Sequence, residues 1–489
     1  MRLLSLALVL AATASAAMVK TDSTCVVTPL SNTPARSIGT VAPADRDVDP
    51  EAEPDLWADL GPFADPPPGA LGALGYYPRP EPSRGSRPLP PPVEIGVQGN
   101  RNHHVPKDGA LEARQTNTDD TPQMLDAFKQ CGKDGTIIFK EGTYNIRQVM
   151  NTTDLRNCSI EIHGTFVWSA DNIQYWLSKS FSVTYAGRST AWLFGGRDVS
   201  MRGFGKALFN GNGQVWIDQN RNNANQNGRP ISLTVWRGTN IFIDGITWRQ
   251  AQFWHTFVAH SQNVTMTNLD MNTTSNSQWK AVNTDGTDTW NSKDVVIANW
   301  TVKCSDDCIS VKGNSTNIYV NNVTCYSSGG MCVGSMGSNT GQPDYVDNVV
   351  FENVRLFDSS NAAWVKTYPG TGHVKNITFR NIHFDNVNQP IYVTSCIYSY
   401  PNCDSSRLGI TDVRWENITG TSRYNVAVGI HCSSQAPCDK LQFSGIDIKP
   451  LKGGTSKILC SNIRNQASSG LQCTGPCPGS HPQQLSGNV

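Results

Sequence analysis

Two short acidic turns mark where this chain could do chemistry: Asn283-Thr284-Asp285-Gly286 and Ser305-Asp306-Asp307-Cys308. Each alone is ordinary turn sequence, because Asn, Asp and Gly favour tight turns and an acidic pair in a loop is usually just solvated. Their setting changes the reading. Both follow copies of a repeated segment, and Asp306 lies as far beyond Asp294 as Gly329 lies beyond Asn317. In stacked repeats, equal offsets mean the same lateral position on neighbours about 4.8 Å apart. Asp285, one repeat earlier, is therefore expected beside the Asp306–Asp307 pair. Three carboxylates on one patch repel one another and raise one another's pKa. A carboxylic acid kept protonated beside an ionised neighbour is what glycosidic bond cleavage needs: one group protonates the leaving oxygen while another activates water.

The positioning elements are repeats. Segments of eight residues begin at Thr239, Gln262, Lys293, Thr316, Asp347, Lys375, Thr411 and, more weakly, Asp439. Each alternates apolar and polar residues with period two, as in Thr239-Asn-Ile-Phe-Ile-Asp-Gly-Ile246, the pattern of a strand with one buried face. Recurrence on the scale of tens of residues signals a solenoid, in which each unit buries its apolar face by stacking on neighbours. The recurring Asn or Gly suits a sharp corner between short strands, where left-handed backbone is useful. The expected fold is all-β, a parallel β-helix. A β-propeller fits less well, because its blades run longer and hold about four strands each. Thr121–Cys131 reads as a short amphipathic helix capping the N-terminal end of the core.

These motifs, together with Gly211-Asn-Gly213-Gln214 upstream, resemble those of the polygalacturonase family of glycoside hydrolases (family 28), over roughly residues 115–480. The resemblance implies a right-handed parallel β-helix and hydrolysis with inversion. Asp306 would be the general acid, and Asp285 and Asp307 would hold and deprotonate the attacking water. Inverting pairs generally stand about 6.5–9.5 Å apart, which suits neighbouring coils better than adjacent side chains. Two departures bear on the substrate. Ser328-Gly329-Gly330 stands where the family has Gly-His-Gly, so Gly329 replaces a histidine. Trp364-Val365-Lys366 stands where the family has Arg-Ile-Lys. Lys366 can pair with a uronate carboxylate as a point charge, while Trp364 would rather stack on a sugar face. Asn283 and Gly329 are also placed at the substrate. Gln252-Phe253-Trp254-His255 lies one coil earlier, and His255 is a further candidate contact, with ordinary packing as the alternative.

The Ser-Gly-Gly variant is similar to that of rhamnogalacturonan-cleaving members. The Cys396–Cys403 loop and the insertion at 220–228 look closer to the exo-acting fungal galacturonidases. The expected activity is exo-acting hydrolysis of galacturonan, with rhamnogalacturonan hydrolase or α-L-rhamnosidase activity as the alternative. Two further readings stay open: a Ca²⁺-dependent pectate lyase, since carboxylate oxygens ligate Ca²⁺, and a glycan-binding β-helix without catalysis.

The totals agree with export. Met1-Arg2-Leu3-Leu4 opens a basic, then apolar run that ends at Ala14-Ser15-Ala16, the form of a secretory signal peptide over 1–17. The 14 cysteines suit an oxidising compartment. N-glycosylation sequons occur at Asn151, Asn157, Asn263, Asn272, Asn299, Asn314, Asn322, Asn376 and Asn417. Close spacing pairs Cys432 with Cys438 and Cys396 with Cys403, and the family resemblance pairs Cys308 with Cys325. Cys304, Cys332, Cys473 and Cys477 are also expected in disulfides. Residues 18–110 form an N-terminal segment containing a low-order Pro-rich stretch, residues 111–480 the β-helix, and 481–489 a disordered tail. With 40 basic against 40 acidic residues and no basic stripe, neither nucleic acid nor a membrane is an expected partner. The expected partner is plant cell-wall pectic polysaccharide, bound by a secreted monomer with no cofactor and no metal.

Overall fold

A strand with alternating apolar residues can bury only one face, and stacking identical strands in register buries that face continuously. In the computed structural model, which describes residues 18–30, 118–339, 341–398 and 402–478, the repeats do this. Thr239 lies beside Gln262, Gln262 beside Lys293, Lys293 beside Thr316, Thr316 beside Asp347, Asp347 beside Lys375, and Lys375 beside Thr411. A bridge from Thr411 to Asp439 adds the eighth copy. All these pairings are parallel, and the fold is a right-handed parallel β-helix. Its interior is columnar: Phe351, Phe379, Trp415 and Phe443 stack with near-parallel rings and centroids 5.1, 5.9 and 4.4 Å apart.

The corners are where left-handed backbone is needed. At the second position of the copies, Asn263, Asp294, Asn317, Asn348, Asn376 and Asp412 have φ between 54° and 59°. At the seventh, Asn268, Asn299, Asn322, Asn353, Asn381 and Asn417 have φ between 52° and 61°. Asn and Asp tolerate this region because their short side chains bond locally. Here the amides also bond between coils: Asn348 Nδ2 donates to Asn317 Oδ1 at 2.7 Å, and Asn322 Nδ2 to Asn299 Oδ1 at 2.9 Å.

Thr121–Cys131 is helical and buries Met124, Ala127 and Phe128 against the first coils. The chain before it also joins the stack. Strand Thr24–Val27 pairs in parallel with Lys133–Phe139, and Cys25 is disulfide-bonded to Cys131. Coil pairing thus includes residues upstream of position 111, where the β-helix was expected to begin. The expected signal peptide, the Pro-rich stretch and the expected disordered tail lie outside the described residues. No helix among the described residues is long and apolar enough to cross a membrane.

Cys308–Cys325, Cys396–Cys403 and Cys432–Cys438 are paired, as is Cys460–Cys473. The expectation fails for Cys304, Cys332 and Cys477, which are buried free thiols like Cys158. Cys304 Sγ instead contacts the Asp306 carbonyl at 3.0 Å, and Cys332 has Ser310 and Trp364, not cysteine, beside it on the adjoining strands.

Candidate active site

Strict alternation along Asp307–Val311 would turn Asp307 to the same face as Ile309 and Val311, which are core residues. A bulge prevents this. Asp307 pairs with Gly330 and Ile309 with Met331, leaving Cys308 as an extra residue. The added residue re-aims the side chain before it, and the Cys308–Cys325 bond fixes Cys308 to the core. The preceding coil is tied at the same level: Gly286 N donates to the Asp307 carbonyl at 3.1 Å, and the Thr284 and Ser305 hydroxyls bond at 2.9 Å.

Asp285, Asp306 and Asp307 are thereby brought together, each presenting an oxygen within 4.8 Å of the others. They are 3, 7 and 1% exposed. The closest oxygens are nearer than the separation expected from general inverting geometry, because two of the acids are sequence neighbours and the third lies directly on the adjoining coil. Asp306 accepts from Asn283 Nδ2 at 3.0 Å and from the Asp307 N–H at 2.8 Å. Burial, and then the Asp307 charge, nevertheless lift the Asp306 pKa to about 6. Burial, followed by repulsion from Asp306, Asp288 and Asp307, holds Asp285 well above the usual carboxylate range. The cluster therefore retains a proton under mildly acidic conditions, and that proton belongs to the group as a whole.

The residues expected to touch substrate fall differently. Lys366 is 3% exposed, and its ammonium contacts both Asp307 oxygens at 2.8 and 3.1 Å. Its charge is committed to a protein carboxylate. Trp364, also 3% exposed, lies against Tyr392 and Cys332, with the Lys366 ammonium 4.1 Å from its ring centroid. Its ring lies beneath the Lys366 ammonium. A Cβ at Gly329 would stand 2.7 Å from Asp307 Oδ1, so this position contributes space. His255 is fully buried, with Nδ1 on the Asp285 carbonyl and Nε2 on the Thr273 hydroxyl, both at 2.9 Å. Its ring supports the Asp285 backbone, and burial lowers its pKa to about 4. Asn283, expected at the substrate, donates its Nδ2 to Asp306 and accepts from the Asn225 N–H.

Four residues around the site were not singled out from the sequence. Asp288 and Lys312 form a buried pair at 3.3 Å, and burial raises Asp288 to about 7 despite that cation. The same offset reasoning that found Asp306 would have placed Asp288 beside Ser310. Arg188 and Arg229 come from insertions outside the repeats, and no periodic signal marks them. These insertions form a small sheet of Phe181–Ser182, Ser189–Thr190 and Pro230–Ile231. Tyr185 at its turn packs on Trp254, Phe257 and Trp290, covering the aspartate-bearing face on one side of the cluster. On the other side stand Tyr368, just after strand Asn361–Thr367, and Tyr398, in the loop held by Cys396–Cys403, rings 6.1 Å apart.

The sequons lie mostly on the outer coil surface, where Asn151, Asn157, Asn263, Asn299, Asn314 and Asn417 are exposed and Asn322 and Asn376 partly so. Asn272 is 8% exposed, so a glycan there would have to displace the coil.

A parallel β-helix that gathers three buried carboxylates, which retain a proton between them, on a face flanked by loops defines a glycoside hydrolase of the pectinase type. The model for glycosyl hydrolases family 28 matches residues 157–469, and the chain belongs to that family. It is 32% identical over 411 residues to the α-L-rhamnosidase rgxB of Aspergillus niger, covering 80% of this chain and 95% of that one. It is 32% identical over 410 residues to an exopolygalacturonase of Cochliobolus carbonum, covering 79% and 90%. Among solved structures it resembles the endo-xylogalacturonan hydrolase of Aspergillus tubingensis, with TM-score 0.66 and 28% identity over 74% of this chain and 97% of that one.

Proposed function

We propose that the protein is a secreted, monomeric, exo-acting hydrolase of galacturonan that removes terminal galacturonate with inversion. The observation that carries this reading is the burial of all three aspartates beneath segments on both flanks, Tyr185 on one side and Tyr368 with Tyr398 on the other. Segments that close one end of a cleft favour a chain end, whereas cutting within a polymer needs an open groove. In this reading Asp306 donates its proton to the leaving glycosidic oxygen. Asp285 and Asp307 orient the attacking water and take its proton, with Lys366 balancing charge at Asp307. The similarity to an exopolygalacturonase points the same way.

A second reading has a specific observation in its favour. Lys366 is bound to Asp307 and Trp364 is buried, so neither is set out to grip a uronate, and one similar protein is an α-L-rhamnosidase. Product analysis separates the two. Galacturonate monomer released from polygalacturonate from the earliest times supports the first. Rhamnose released from rhamnogalacturonan, with polygalacturonate untouched, establishes the second.

A further inference from the structure

Around the aspartate cluster four buried acids, Asp285, Asp288, Asp306 and Asp307, are accompanied by four buried cations, Arg188, Arg229, Lys312 and Lys366. Two of the cations have acidic partners: Lys312 pairs with Asp288 and Lys366 with Asp307. Arg229 is 1% exposed and donates to the Val282 carbonyl at 3.0 Å and to the Gln252 carbonyl. Arg188 is 9% exposed and makes one side-chain hydrogen bond, from Nη2 to Asn225 Oδ1 at 2.5 Å, while its Nε has no partner. Buried guanidinium groups are ordinarily paired with an acid. With at least one proton on these acids, as acid catalysis requires, the site carries a net positive charge. A uronate would offset it, and a neutral sugar would not.

Position singles out Arg188. It follows the tight turn Tyr185–Arg188, closed by Arg188 N on the Tyr185 carbonyl at 2.8 Å. Its guanidinium lies 5.6 and 5.9 Å from the ring centroids of Phe253 and Trp254. Asp285, Asp288, Tyr185 and Tyr368 are its charged and ionisable neighbours, so it stands close to the acids and to both flanking segments. It is also wired to the general acid. Arg188 bonds Asn225 Oδ1, the Asn225 N–H donates to Asn283 Oδ1 at 2.8 Å, and Asn283 Nδ2 donates to Asp306 Oδ2 at 3.0 Å.

We propose that Arg188 is the carboxylate anchor of the pocket, binding the uronate group of the chain-end sugar, and that the Asn225–Asn283 connection sets Asp306 against the sugar so held. Planar, bidentate pairing with carboxylate is what a guanidinium offers. Acid recognition would thus be supplied by an insertion outside the repeats, with Lys366 committed to Asp307. The inference rests on the galacturonan reading and names its specificity residue.

The test uses the full-length protein and its Arg188→Gln and Arg188→Lys variants. Equilibrium binding of free galacturonate and of galactose is measured first, because it needs no turnover. Wild type is expected to bind galacturonate in preference to galactose, and Arg188→Gln to lose roughly 10- to 100-fold in galacturonate affinity with galactose binding unchanged. Arg188→Lys recovers part of the loss. Kinetics on oligogalacturonate and on the same oligomer with its non-reducing terminal carboxyl reduced should show the penalty on the charged substrate alone, mainly in KM. Equal losses on both ligands in a variant with unaltered thermal unfolding, or no loss on either, would overturn the proposal. A wild type that binds galacturonate through Arg188 yet hydrolyses only a rhamnose-bearing substrate would refute the proposed activity while leaving the anchor in place.

Discussion

The Lys366 ammonium sits on both oxygens of Asp307, at 2.8 and 3.1 Å, with the two side chains 4 and 2% exposed. Burial alone would lower the Lys366 pKa, but Asp307 together with Cys332, Tyr398 and Asp306 outweighs it and holds the lysine well above its ordinary value. Breaking such a pair by removing one partner generally costs about 3–5 kcal/mol, because the other charge is left buried.

Lys366→Met should therefore act on catalysis and stability together. Asp307 loses its counter-charge, so kcat is expected to fall more than KM rises, and the melting temperature to drop. Lys366 also lowers the Asp306 pKa, so the alkaline limb of the pH profile should move upward. Steady-state kinetics across pH checks both effects. A change confined to KM would show that Lys366 contacts substrate instead.

Gly329 gives a sharper probe of the same carboxylate. A methyl group there would stand 2.7 Å from Asp307 Oδ1 and 2.9 Å from its N–H. Gly329→Ala should displace Asp307 and reduce kcat at least about 10-fold, since small misplacements of catalytic groups are expensive. Calorimetry should show a loss of about 1–3 kcal/mol, typical of overpacking. Wild-type turnover in this variant would mean that Asp307 has room to spare.

The pH dependence has a definite sign. A carboxyl raised on folding stabilises the protein fully below its ordinary pKa of 3.8, and this contribution is lost as pH rises through the folded value. For Asp306 and Asp288 those folded values are about 6 and about 7. Their contribution to melting temperature should fall from about pH 4 to pH 7, and kcat/KM should decline as pH rises through about 6. Asp306→Asn should flatten the stability trend. An unchanged slope would remove Asp306 as its source.

Glycan occupancy should follow burial. Asn314 is exposed, whereas Asn272 is 8% exposed in a strand of the stack. Mass spectrometry of enzymatically released sites should find Asn314 modified and Asn272 not. Modification of Asn272 would mean that this coil opens before the helix is complete.

The repeats were legible because their physics is local: period-two alternation from Thr239 to Asp439 and Asn, Asp or Gly at most corners report burial and backbone directly. The aspartate cluster was legible by counting offsets, since register in a solenoid is fixed by the repeat itself. What sequence did not reveal depends on contacts that carry no period. Cys25 lies 106 residues from Cys131, and Arg188 reaches the site from an insertion. Lys366, Trp364 and His255 were assigned to substrate by motif position. Their burial and pairing follow from what folds over them, and a one-dimensional pattern does not contain that.

The central claim is that Asp306 protonates the leaving oxygen in hydrolysis of galacturonan ends. Its most direct test is the turnover of Asp306→Asn on oligogalacturonate, measured beside wild type at the same acidic pH. The account predicts a fall of about 10²- to 10⁴-fold in kcat, the usual worth of a general acid, with thermal stability undiminished because a buried repulsion is removed. Retention of most of the wild-type rate would contradict it.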